Sequence, residues 1–120
     1  MATNSVGIDF VIIDGQMISY AYIDGGASIN VMSKKTMRDA NLKLSSVNSP
    51  YRIKLADNTR VKTLGVVKNL LVDVCGIFVP TTFQVIPTKT DARAYPLILG
   101  RPWLRHVKAV QKWEIGDLIL

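Results

Sequence analysis

One cysteine and one histidine, Cys75 and His106, stand in 120 residues. A lone thiol cannot close a disulfide within the chain, which fits a reducing compartment, and one thiolate with one imidazole cannot complete a four-coordinate zinc site. No metal centre is expected. Long apolar runs are missing too: none approaches the roughly 20 residues that a membrane-spanning helix needs, and "MATNSVGIDF" lacks the basic stretch and apolar core of a secretory signal. These absences point to a soluble, cytoplasmic protein with no membrane partner. Acidic side chains are the scarcer charge, nine against fifteen Lys and Arg, for a net charge of +6. An excess of that sign can favour nucleic acid or an acidic partner. Here Lys34, Lys35, Arg38, Lys43, Arg52, Lys54, Arg60 and Lys62 are interspersed with apolar residues, so they read as solvated faces and nucleic acid is not the expected partner.

What is present is apolar and β-branched. With 48% hydrophobic residues and no linker, low-complexity tract or obvious repeat, residues 1–120 suit one domain able to bury its own core. Val6 to Ile13 reads as a strand with Val6, Ile8, Phe10 and Ile12 on one face. Asp14-Gly15 is a hairpin turn and Gln16 to Ile23 the returning strand. Ile29 to Met32 is a short strand, after which Ser33 can cap a brief helix over "KKTMRDA". "YRIKLA" alternates, with Tyr51, Ile53 and Leu55 on one face, turns at Asp57-Asn58 and returns from Thr59. Val66 to Cys75, irregular at Asn69, and Ile77 to Ile86 pair through Gly76, and Leu97 to Leu99 is a further strand. Arg101 to Val107 reads as a short helix with Pro102 in its first turn. Ala109 to Trp113 and Asp117 to Leu120 read as a last hairpin around Gly116. Strands outweigh helices, so the expected fold is an all-β closed barrel with one or two short helices. Cys75, on a strand, is expected to be a buried thiol.

The chemistry is concentrated in "AYIDGGASINVMS". Asp24 is followed by Gly25, Gly26 and Ala27 at the mouth of a loop between strands. Taken alone this is a turn-forming acid. It also suits hydrolysis by paired carboxylates, in which one activates water as a base and the other, protonated, donates to the peptide carbonyl. One chain offers one such loop, so the second carboxylate would come from a second copy.

"YIDGGASINVMS" together with "PLILGRPWL" resembles the two signatures of the retropepsins, the aspartic proteases of retroviruses and gypsy-type long-terminal-repeat retrotransposons. "IKLADNTRVKTLGVVKNLLVDVCGIFVPTTFQVI" is similar to the flap hairpin and following strands of plant-type retroelement proteases, and "AVQKWEIGDLIL" to their closing hairpin. The resemblance implies a homodimer that cuts peptide bonds, with its own polyprotein as substrate and no cofactor. It implies Asp24 as the catalytic residue, Gly25, Gly26, Ala27 and Ser28 as the active-site loop, and Ala56, Asp57, Asn58 and Thr59 as the flap over a bound peptide. Leu99, Gly100 and Arg101 would pack behind the loop. Two positions depart from the family. Gly25 stands where a Ser or Thr hydroxyl normally bonds across the dimer, and Ser28 where retroviral members place an aspartate that pairs with the arginine. The alternative reading is a catalytically weak or inactive dimerisation or peptide-binding module of the same fold.

Overall fold

The computed structural model of the chain describes residues 5–47, 52–54, 60–87 and 97–114. Its chain order is β1 (Ser5–Ile13), β2 (Gln16–Asp24), β3 (Val31–Ser33), α1 (Lys34–Asp39), β4 (Arg52–Lys54), β5 (Arg60–Lys62), β6 (Gly65–Val74), β7 (Ile77–Ile86), β8 (Leu97–Leu99) and α2 (Arg101–Glu114). Six strands close a barrel in the order β1-β2-β8-β3-β7-β6, and β4 with β5 forms a separate two-stranded hairpin. Closure comes from β1 meeting β6, with Ile12 opposite Asp73 and Ile13 opposite Val72. A closed barrel leaves few unpaired strand edges, and its interior is filled by side chains. Val11, Ile13, Met32, Val72, Val79, Phe83, Val85, Leu97 and Leu99 fill it, each essentially without solvent exposure.

Local chemistry accounts for the turns. Asp14 and Gly15 take φ of 48° and 84°, the left-handed pair that matches the twist of a hairpin. Asp14 then joins the hairpin tip to the barrel, its N–H donating to the Leu71 carbonyl and its Oδ1 accepting from the Leu71 N–H, both at 3.0 Å. Asn69, at φ 56°, marks a bulge between Val67 and Leu70, as its place in an apolar strand implied. Ser33 caps α1, its Oγ accepting from the Thr36 N–H at 3.0 Å.

Three readings need correction. The β1–β2 hairpin does not keep one face inward. Val11 and Ile13 are buried while Val6 and Phe10 are exposed, and the next inward residue of β1 is Ile8, three positions before Val11. On β2 the inward residues are likewise three apart, Ile18 and Ala21, and the register pairs Ile8 with Ala21 and Val11 with Ile18. An odd spacing reverses the face of a strand. The reversal falls at Tyr20, whose φ of 77° is unusual for an aromatic residue, at the step between the Ile8–Ala21 and Phe10–Ser19 pairs.

The second correction concerns the chain after Val107. Ala109 to Trp113 is not a strand, because α2 continues to Glu114. Trp103 and Val107, one helical turn apart, are buried in the main core with Leu104 beside them. After Pro102 no glycine or proline interrupts the helix, and Lys108, Ala109, Gln111, Lys112 and Glu114 are good helix formers. Asp117 to Leu120 lies outside the described residues. Third, Cys75 is exposed, not buried: it forms the β6–β7 turn with Gly76 at φ of 51° and 87°.

Candidate active site

β2 delivers Asp24 to the rim of the barrel beside β8, the two strands running parallel with Tyr22 opposite Ile98 and Ile23 opposite Leu99. There the chain turns. The Asp24 carbonyl accepts from the Ala27 N–H at 3.1 Å, closing a four-residue turn with Gly25 and Gly26 at its centre. Asp24 Oδ1 accepts from the Gly26 N–H at 2.8 Å, which orients the carboxyl group over its own turn. The side chain is half-exposed. Neither central glycine adopts positive φ; among the described glycines that conformation is confined to Gly15, Gly65 and Gly76. Gly26 matters for proximity, since a Cβ there would lie 3.3 Å from Asp24 Oδ1.

Behind the turn sits the start of α2. The Arg101 N–H donates to the Ala27 carbonyl at 2.9 Å. Gly100 lies so close that a Cβ on it would come within 2.3 Å of the Ile29 carbonyl oxygen and 2.8 Å of that of Ala27. Leu99 is wholly buried below. The side chain of Arg101 is exposed and makes no ion pair among the described residues, so what holds the loop is its backbone amide. Ser28 is exposed, and Ile29 and Asn30, read from sequence as strand, belong to the loop because β3 starts only at Val31.

One residue escaped the sequence reading. Asn30 is buried, with 4% of its surface accessible, and uses three polar groups at once. Its Oδ1 accepts from the Gly100 N–H at 2.7 Å, its Nδ2 donates to the Thr82 carbonyl at 3.1 Å, and its own carbonyl accepts from the Gln84 N–H at 2.8 Å. The side chain thus joins the loop to both α2 and β7. The available signal was a lone amide between Ile29 and Val31, where a buried polar group must find partners. Replacing Asn30 with alanine leaves the Gly100 N–H and the Thr82 carbonyl without their partner. The expected cost is about 2–3 kcal/mol of folding stability, read as a lower urea midpoint with an unchanged slope.

The four flap positions, Ala56, Asp57, Asn58 and Thr59, lie outside the described residues; the stem below them pairs Ile53 with Val61 and Lys54 with Arg60. That stem shares a second apolar cluster with the loop. Val31, Val61 and Ile86 are buried in it, with Ile29, Ile53 and Ile98 packed half-exposed against them. An apolar wall therefore runs from the stem to the residues that follow Asp24.

A family model described as the PEG10/RTL1 protease domain matches residues 20–119. Among solved structures, the chain is similar to the retroviral protease-like domain of Ddi1 from Leishmania major, at 23% identity over 80% of this chain and 72% of that one, with a TM-score of 0.60. At that identity the likeness speaks for the fold, a retropepsin-like barrel. No curated protein matches the chain.

Proposed function

The chain belongs to the PEG10/RTL1 protease domain family, and on that premise we propose that residues 1–120 are one protomer of a homodimeric, cytoplasmic aspartic endopeptidase that processes a retroelement-type polyprotein. The observation that carries this reading is the Asp24 turn: a half-exposed carboxyl group, oriented by the Gly26 amide, on a loop held from behind by Gly100 and Asn30. Gly25, Gly26, Ala27 and Ser28 line the approach to the partner, and Ala56 to Thr59 close over the substrate. Asp24 and the partner's Asp24 share one proton. The unprotonated carboxylate takes a proton from water as the water oxygen bonds to the carbonyl carbon, while the protonated one donates to the carbonyl oxygen. Transfer of a proton to the amide nitrogen then lets the C–N bond break, leaving an acid and an amine. The apolar wall of Ile29, Ile53 and Ile98 favours apolar side chains on both sides of the scissile bond.

Incubation with a peptide library at about pH 5 tests the proposal. Cleavage should occur between apolar residues, follow a bell-shaped pH profile and show a specific activity that rises with protein concentration, as an active dimer requires. No cleavage at any pH or concentration would overturn it.

Gly25 motivates the second reading, a peptide-binding module of the same fold. A Ser at this position restores a hydroxyl on each side of the dimer, and a bond of about 1 kcal/mol on each side corresponds to a rate gain on the order of tenfold. On the enzyme reading, Gly25→Ser improves an activity already measurable in the natural chain. Activity that appears only in the variant assigns the natural chain to the module.

A further inference from the structure

The closed barrel leaves one outer face unusually apolar. Met17 is 66% exposed, Phe78 55%, Phe10 49% and Leu71 43%. The register places them together. Met17 lies opposite Ile12, Ile12 opposite Asp73, and Asp73 opposite Phe78, one row across β2, β1, β6 and β7. Leu71 opposite Pro80 makes the next row, and Phe10 follows Ile12 on the same side of β1. Single exposed apolar residues are ordinary on a soluble protein, but a contiguous field of large ones marks an interaction surface.

The strands that form this face carry few cations, although α2 borders it where the His106 ring lies 3.2 Å from the Pro80 carbonyl. β1, β2 and β7 contain no lysine or arginine in a chain of net charge +6. The single cation of β6, Lys68, lies within the bulge between Val67 and Leu70, away from the row through Asp73. The other described cations lie on α1, the β4–β5 hairpin, α2 and, at Lys43, the segment after α1. Within the apolar field stand two carboxylates, Asp73 in the middle of the row and Asp14 beside Leu71. Each is oriented by one backbone amide, Asp73 by the Gly76 N–H at 2.8 Å and Asp14 by the Leu71 N–H at 3.0 Å.

We propose that this face is a docking site for a basic amphipathic segment of a partner protein. The row crosses three strand spacings, roughly 14 Å, which matches two to three turns of helix at about 1.5 Å per residue. Apolar side chains three and four apart would cover Met17, Ile12 and Phe78, and a lysine or arginine among them would reach Asp73. A carboxylate enclosed by apolar surface rejects an acidic or neutral partner, because its charge would be desolvated without compensation. Met17 is seven residues from Asp24 along β2, up to roughly 23 Å in extended chain. The proposal does not depend on proteolytic activity.

The test uses a fluorescein-labelled helical peptide with leucines at i, i+3, i+4 and i+7 and lysines flanking them, and its counterpart with glutamate for every lysine. Fluorescence anisotropy on the Asp24→Asn chain prevents the probe from being cut. The basic peptide should bind with a micromolar Kd and the acidic one at least tenfold more weakly. Phe78→Ser and Met17→Ser should each weaken binding about tenfold. Asp73→Asn, which keeps an oxygen for the Gly76 amide and removes the charge, should weaken it several-fold and flatten its salt dependence. Amide shifts on binding should map to β1, β2, β6 and β7. Equal affinity for both peptides, shifts mapping to the Asp24 loop, or no binding would overturn the proposal. Sedimentation showing a dimer that Phe78→Ser dissociates would overturn it in favour of a second copy of this chain.

Discussion

If the proposed aspartic endopeptidase activity resides at Asp24, Asp24→Asn should abolish peptide cleavage, lowering kcat/KM by roughly a thousandfold or more while leaving the fold in place. The two halves of that expectation have separate physical origins. Asparagine keeps an Oδ1 that can accept from the Gly26 N–H, and the backbone bond from Ala27 to Asp24 does not involve the side chain, so the turn survives. What disappears is the exchangeable proton and the charge, in the proposed homodimer on both sides at once. A pair of amides can neither take a proton from water nor hand one to the carbonyl oxygen. Steady-state kinetics on a peptide from the library, with a thermal melt of the same samples, reads both halves. Cleavage that persists with the same pH profile would place the chemistry elsewhere in the preparation, and a collapsed melt would make Asp24 a structural residue.

Gly100→Ala should cost about 3–5 kcal/mol of folding stability. Its Cβ would meet the carbonyl oxygen of Ile29 at 2.3 Å and that of Ala27 at 2.8 Å. Both obstacles are backbone, so no rotamer change relieves them. Either α2 or the Asp24 loop must withdraw, and withdrawal breaks the bonds from Gly100 N–H to Asn30 Oδ1 and from Arg101 N–H to the Ala27 carbonyl. A typical domain has 5–15 kcal/mol in total, so the variant should melt far below the parent or fail to accumulate as soluble protein. An unchanged urea midpoint would refute the tight packing behind the loop. The glycine of "PLILGRPWL" is thus needed for a close approach and not for a turn.

Much of the architecture is legible along the chain because its causes are local. Asp14-Gly15 and Asn69 announce themselves through side chains that tolerate left-handed backbone, and Ser33 through a hydroxyl that can serve the Thr36 amide. The strands follow from β-branched alternation, and the candidate loop from a carboxylate beside glycines. Where the reading failed, the cause was distant in sequence. Ala109 to Trp113 has enough apolar residues for a strand, but the docking of Trp103 and Val107 on the core had already started a helix that nothing interrupts. Cys75 is the local exception: with its neighbour Gly76 it takes the left-handed backbone of a two-residue turn, which carries its thiol out of the strand.

Composition, turn chemistry and the two motifs by themselves determined the β-rich class, the hairpins, the cap of α1 and the place of Asp24. Each of these depends on residues a few positions apart. The tertiary structure alone decided the role of Asn30, whose side-chain partners lie 52 and 70 residues away, and the reversal of the β1–β2 hairpin at Tyr20. It also decided the gathering of Phe10, Ile12, Met17, Leu71 and Phe78 onto one face. A buried amide takes whichever polar groups closure brings to it, and an apolar side chain faces inward only if the barrel has room on that side. Both depend on how the strands close around the core, and closure is a property of the whole chain.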